Sequence, residues 1–222
     1  MFSPDGRQIA FVSDRSGHRG IWIISAEGGA ARLLTAAVAL DTLTWSRDGS
    51  RIIYAAPGGD LPQLVSVSVI DGTTESFLTP GPAVAPAWSP TADVIAYLEP
   101  ATLPAQDPRS TPAATATLWL AFVDTQGRRL YPNLPKQSFS NGFVAWAPDG
   151  RRLAAVWNPA NGVSSIWVVE PDGPEPLNKL GDLPLTVRPR GITWTGDGSG
   201  VIIAQQESVS DIVLFELSNR DR

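Results

Sequence analysis

The chain has 222 residues, a formal net charge of −5, no cysteine and one histidine. Zero Cys removes disulfides, thiolate metal sites and Cys nucleophiles together, and a single imidazole makes a catalytic zinc site hard to build, so no cofactor or metal is expected. Lys136 and Lys179 are the only lysines and the arginines are scattered, so nucleic acid is disfavoured as a partner. No run of 18 apolar residues predicts a membrane-spanning helix.

In chain order, Met1-Phe2 reads as the end of a strand, which predicts that no signal peptide is present. Ser3-Pro4-Asp5-Gly6 is a tight turn, because Gly tolerates the positive φ that such a turn demands. Residues 8–13 alternate as a strand. A loop at 14–20 then leads into Ile21-Trp22-Ile23-Ile24, and a further strand ends near Thr35. The pattern restarts at Leu43-Thr44-Trp45, turns at Ser46-Arg47-Asp48-Gly49, and runs through strands at 51–55 and 63–69. Asp71-Gly72 turns the chain into a fourth strand at 74–78. The third copy opens on Trp88 with Ser89-Pro90-Thr91-Ala92, and its later strand carries Leu118-Trp119-Leu120. The fourth has Trp146, Ala147-Pro148-Asp149-Gly150 and Ile166-Trp167-Val168-Val169. The fifth has Trp194, Thr195-Gly196-Asp197-Gly198 and a strand at 211–215.

One nine-residue offset joins each copy's opening aromatic to the centre of its next strand: Phe2 to Phe11, Trp45 to Tyr54, Trp88 to Tyr97, Trp146 to Ala155 and Trp194 to Ile203. The copies are spaced by 43, 43, 58 and 48 residues. A strand-type period in the forties predicts an all-β propeller of about five four-stranded blades. The repeats fall at roughly 1–41, 42–85, 86–141, 142–189 and 190–222 of a single domain. One four-stranded sheet cannot bury either face alone, so neighbouring blades must cover them. The eight Trp are plates suited to that gap, each hiding roughly 150–250 Å² when buried. Counting strands gives three, four, four, four and three. The first repeat lacks most of its inner strand and the last its outer one, so the ring is expected to be incomplete or truncated. Mutual completion between two copies is one route to self-association.

The segment from Phe2-Ser3-Pro4-Asp5-Gly6-Arg7 to Ile21-Trp22 resembles the propeller repeat of the TolB-like family, a WD-repeat-like type also found in prolyl-oligopeptidase-type and tricorn-type peptidases. Ala147-Pro148-Asp149-Gly150-Arg151-Arg152-Leu153-Ala154 is similar to it nearly as closely. The family often has Asp two residues before the Trp of the third strand, where this chain has Gly20 and Ser165. The resemblance implies a non-catalytic scaffold that binds a protein or peptide, in the periplasm or another extracytoplasmic compartment.

An enzyme is not expected. His18 is the only base for a Ser-His-Asp relay, and no G-x-S-x-G elbow is present. Asp5, Asp48, Asp71, Asp149, Asp172 and Asp197 adjoin Gly and read as turn chemistry, side-chain oxygen to backbone N–H. A lyase or glycosidase would have to draw its paired carboxylates from Glu99, Asp107 and Glu207. A substrate-gating propeller of a prolyl-oligopeptidase-type peptidase, whose catalytic domain is absent from this sequence, is the alternative function. The long connections at 14–20, 56–61, 99–117, 131–141, 158–164 and 177–190 share one end of the sheets, and elaborated loops on a rigid scaffold mark a binding face. On that face the candidate binding residues are Trp157, Tyr131, Phe139, Lys136, Arg15, His18, Arg19 and Arg109.

Overall fold

The computed structural model describes residues 1–36, 38, 42–58, 62–77, 79, 81–101, 115–122, 128–130, 143–157, 163–172, 177–184, 188–206 and 212–216. Eighteen strands and no helix occur among them, so no helix is long and apolar enough to cross a membrane. The strands form five antiparallel meanders of three, four, four, four and three strands, the count expected from the sequence. The first sheet is β1 (Gln8–Ser13), β2 (Gly20–Ser25) and β3 (Arg32–Ala36), with Phe2 bridged to Ile9 as a stub of inner strand. The second is β4 (Leu43–Trp45), β5 (Arg51–Ala56), β6 (Gln63–Ser68) and β7 (Thr74–Ser76). The third comprises β8 (Val84–Trp88), β9 (Val94–Ala101), β10 (Thr115–Phe122) and β11 (Arg128–Leu130). The fourth holds β12 (Val144–Trp146), β13 (Leu153–Trp157), β14 (Ser165–Val169) and β15 (Leu177–Asp182), and the fifth β16 (Arg188–Trp194), β17 (Gly200–Gln206) and β18 (Ile212–Glu216).

The chain divides into two compact units, Met1–Glu99 with Leu120–Arg129, and Pro100–Trp119 with Leu130–Arg222. In the first, period-2 alternation puts Trp45, Ile52, Tyr54 and Val67 on one face of the second sheet, where they bury against Ala10, Ile21, Ile23 and Leu34 of the first. Hydrogen bonds cross between these sheets. The Trp45 indole N–H donates to the Met1 carbonyl (3.2 Å), and the Arg32 guanidinium donates to the Val69 carbonyl (2.7 Å). The second unit repeats the device. Trp194, Val201 and Ile203 pack on Ala154, Ile166 and Val168, and the Trp194 indole N–H donates to the Ala145 carbonyl at 3.0 Å. An indole is well suited to this place, because its ring is apolar while its one donor finds a backbone acceptor on the neighbouring strand.

Burial is uneven among the described tryptophans, which the sequence offers as plates for the gaps between sheets. Trp45 and Trp194 are buried, but Trp22, Trp88, Trp146 and Trp167 are only half-buried. The third sheet also carries a local irregularity. Ala85 adopts a positive φ of 52° and the β8–β9 register shifts between Val84 and Ala87. A bulge of this kind bends the strand and re-aims the side chains that follow. Trp88 then ties itself to the second sheet through its backbone N–H, which donates to Thr44 Oγ1 (3.0 Å), while its indole nitrogen finds no partner.

Candidate binding end and the locked turns opposite it

Each meander has two ends. At one end lie the connections from the first to the second strand and from the third to the fourth. At the other lie the connections from the second to the third strand and from one sheet to the next. The first end is held by a repeated hydrogen-bond pattern. Ser3 Oγ donates to Asp5 Oδ1 (2.6 Å) and accepts the Gln8 N–H (2.9 Å), while Asp5 Oδ1 also accepts the Arg7 N–H (3.0 Å). Ser46, Asp48 and the N–H groups of Ser50 and Arg51 repeat this at 2.6, 3.0 and 2.9 Å. Thr195, Asp197, Ser199 and Gly200 repeat it again at 2.6, 3.0 and 2.9 Å. Gly6, Gly49, Gly150 and Gly198 supply the positive φ of the turn, between 67° and 72°.

The other two turns are natural deletions of this pattern. Ala147 has no hydroxyl, and Asp149 pairs instead with the Arg152 guanidinium (3.0 Å) while accepting the Arg151 N–H (2.8 Å). Ser89 keeps the hydroxyl but faces Thr91 where an acid stands in the others, and accepts only long bonds from the Thr91 and Ala92 N–H groups (3.4 and 3.3 Å). The carboxylates respond to their donors. The Ser3 and Ser46 hydroxyls, then the neighbouring backbone N–H groups, hold Asp5 and Asp48 below the usual carboxylate value. Asp197, bonded first by Thr195, is lowered to about 2. Asp71, bonded first by the Thr73 N–H in a third-to-fourth-strand turn, is also lowered to about 2. For Asp149 partial desolvation pushes upward, but the Arg151 N–H and the Arg152 charge outweigh it. The turn role read from the sequence thus holds for all five of these acids.

The opposite end carries the candidate binding residues. Arg15, His18 and Arg19 lie in the exposed β1–β2 connection. The Ser16 hydroxyl donates to the His18 carbonyl at 3.3 Å. Arg15 folds back over its own sheet. Its guanidinium lies 4.7 Å from the Phe11 ring centre and 5.2 Å from that of Trp22, with Nε donating to Ser13 Oγ (3.1 Å). Phe11 and Trp22 face each other across β1 and β2, so one cation covers a cross-strand aromatic pair. Trp157 ends β13 opposite Ser165, beside the β13–β14 connection; its side chain lies outside the described residues, as do Tyr131, Lys136, Phe139 and Arg109.

Sequence reasoning missed two features. Arg152 stacks on Trp194 at 4.9 Å and donates to the Gly198 carbonyl (3.1 Å), joining the turns of the fourth and fifth sheets. Arg47 does similar work in the first unit through Asp93 (3.2 Å) and the Thr91 carbonyl (3.3 Å). An arginine inside or just after the turn motif was the available signal. The second feature explains why Gly20 and Ser165 depart from the family's Asp. Ser165 Oγ accepts the Trp167 indole N–H (2.8 Å). At Gly20 a Cβ would stand 2.7 Å from the Thr35 carbonyl oxygen, so no side chain fits and the Trp22 indole nitrogen is buried without a partner.

Comparison with known proteins agrees with this geometry. The family described as TolB beta propeller domain matches residues 1–102. The uncharacterized peptidase YuxL of Bacillus subtilis (strain 168) is 43% identical over 61 residues, 27% of this chain and 9% of that protein. TolB from Acinetobacter baumannii superposes with a TM-score of 0.67 at 17% identity over 94% of this chain, which spans 49% of that structure. A chain of the nidogen/laminin complex gives 0.67 at 14% identity, covering 93% of this chain and 73% of that one. At such identities the structures share the fold alone. Residues 1–102 match the TolB beta propeller domain family, and the chain as a whole is all-β with a propeller fold like that of TolB.

Proposed function

We propose that this chain is a non-catalytic propeller scaffold that holds a protein or peptide on the long loops its sheets carry opposite the hydrogen-bonded turns. The observation that carries the reading is the contrast between the two ends. One is closed by short turns of which three share the same hydroxyl–carboxylate lock, and the other by connections that differ in length and sequence from repeat to repeat. Variation on a fixed frame is how binding loops are carried. The nidogen/laminin complex supports the reading as a protein-assembly use of the same fold. An extracytoplasmic location and self-association belong to the same proposal.

The test is selection of a displayed peptide library on the purified chain, followed by affinity measurement for Trp157→Ala and Phe139→Ala. Both substitutions should weaken peptide binding by at least tenfold, about 1.4 kcal/mol, without lowering the melting temperature. Equal binding by wild type and both variants would remove this end as the site.

A second reading is favoured by the peptidase match. It makes the chain the gating propeller of a serine peptidase, with the hydrolase on another segment of a longer protein. A G-x-S-x-G elbow encoded in continuous reading frame with this chain separates it from the first.

A further inference from the structure

Trp45, Trp88 and Trp194 hold the same place in the second, third and fifth sheets, and two of the three indoles are satisfied in the same way. Trp45 donates to the carbonyl of Met1, the residue before Phe2, and Trp194 to that of Ala145, the residue before Trp146. The matching acceptor for Trp88 is the carbonyl of Thr44, the residue before Trp45. The Trp88 indole nitrogen is instead buried without a partner, and its backbone N–H donates to Thr44 Oγ1 (3.0 Å). Register separates the cases. Pairing is unbroken from Leu43 to Trp45 in β4 and from Gly191 to Trp194 in β16, but in β8 it breaks between Val84 and Ala87, just before Trp88.

The break is strained. Ala85, buried in β8, has the only positive φ of a non-glycine among the described residues. A bulge of this left-handed type ordinarily places a glycine there, and Pro86 restricts the residue before it further. The unbroken alternative costs no ladder bond. It sets Ala85 against Leu98 and Pro86 against Tyr97, as Leu43 stands against Tyr54. Antiparallel bonds fall on alternate pairs, and the Ser89 N–H donates to the Val94 carbonyl (2.8 Å), so Pro86 falls on a pair that needs no N–H. Two bonds hold the bulge: Thr44 Oγ1 on the Trp88 N–H, and the Ala83 N–H on the Pro62 carbonyl (3.0 Å). A strained residue and an orphaned donor on one side, and two hydrogen bonds on the other, are contributions of similar size.

We propose that β8 is a two-state strand. In its second state the bulge at Ala85 is gone, residues 81–84 have slid by one position along β9, and the Trp88 indole donates to the Thr44 carbonyl. The sliding segment leads in from the β7–β8 connection. There the Glu99 carboxylate lies so close over Gly81 that a Cβ would stand 2.8 Å from its Oε1. The slide takes Gly81 out from under Glu99, so the packing between the second and third sheets and the shape of this connection change together. Two packings of one segment, close in energy, are how such switches are built. Every group that moves belongs to the first compact unit. This inference goes beyond the peptide-binding reading and does not depend on it.

Nitrogen relaxation dispersion on protein labelled at its tryptophan indoles tests it, with the Trp88 signal assigned by its loss in Trp88→Phe. Wild type should show two-state exchange at the Trp88 indole and none at that of Trp194, which already has its carbonyl. Ala85→Gly relieves the bulged state of its strain and should abolish the exchange. Thr44→Val removes the hydroxyl that holds the bulge, so the unbroken state should dominate and hydrogen exchange of the Trp88 indole should slow about tenfold as it gains an acceptor. Both substitutions nearly preserve side-chain size, and circular dichroism checks that each variant is folded. A flat Trp88 profile in wild type, an Ala85→Gly profile equal to wild type, or an unchanged Trp88 indole in Thr44→Val would overturn the proposal.

Discussion

Tyr54 in the second sheet and Phe11 in the first occupy the same place in their repeats, face the same cross-strand partner position, and end up differently. Tyr54 is 3% exposed and sits in the core between two sheets. Phe11 is half-buried, with Arg15 lying over its ring. The local pattern of a strand decides which side chains share a face. Whether that face becomes core is decided by a second sheet tens of residues away. Repeat proteins make the distinction visible because the same motif is read out against different neighbours.

The largest effect expected from this contrast is at the covered face. Trp45→Ala should cost about 3–5 kcal/mol in urea unfolding, because it opens a cavity and strips the Met1 carbonyl of its indole donor. Trp22→Ala, on the open face, should cost about 1–2 kcal/mol, the value of partial burial and one cation–π contact. Gly20→Ser sharpens the comparison. The added hydroxyl could satisfy the Trp22 indole as Ser165 satisfies Trp167, yet its Cβ meets the Thr35 carbonyl at 2.7 Å. The clash should win by about 1–3 kcal/mol, seen as a lower melting temperature.

Smaller effects belong to the turns. Ala147→Ser restores the missing hydroxyl between Asp149 and the Arg152 N–H and should stabilise by about 0.5–1 kcal/mol. The turn acids also set a pH dependence. Their folded pKa values lie below the ordinary 3.8, so the stabilisation is complete above that value and is lost as pH falls through the folded value, about 2 for Asp197. The melting-temperature gap between wild type and Asp197→Asn should therefore narrow between pH 4 and pH 2. A gap that stays constant there would mean that Asp197 is not bonded as an anion.

Much of the architecture was legible in the sequence. The offset from Trp45 to Tyr54 works because Trp45 pairs with Ile52 and Tyr54 lies one same-face step further along β5. The Asp-Gly turns were legible for the same local reason, since hydroxyl, carboxylate and glycine lie within four residues. What escaped was non-local or unsignalled. Ala85 takes a positive φ with no glycine to announce it. The bar on a side chain at Gly20 comes from β3, about fifteen residues on. The stacking of Arg15 on Phe11 and Trp22 depends on the loop returning over its own sheet, which no local pattern announces. Of the candidate binding residues, Tyr131, Lys136, Phe139 and Arg109 lie outside the described residues.

The most direct test compares Tyr54→Ala with Phe11→Ala by denaturant unfolding. Cover by a neighbouring sheet should make the Tyr54 variant the less stable by at least about 2 kcal/mol. Equal losses at the two positions would show that burial follows the strand's own pattern, and that packing between successive sheets is not what holds this fold together.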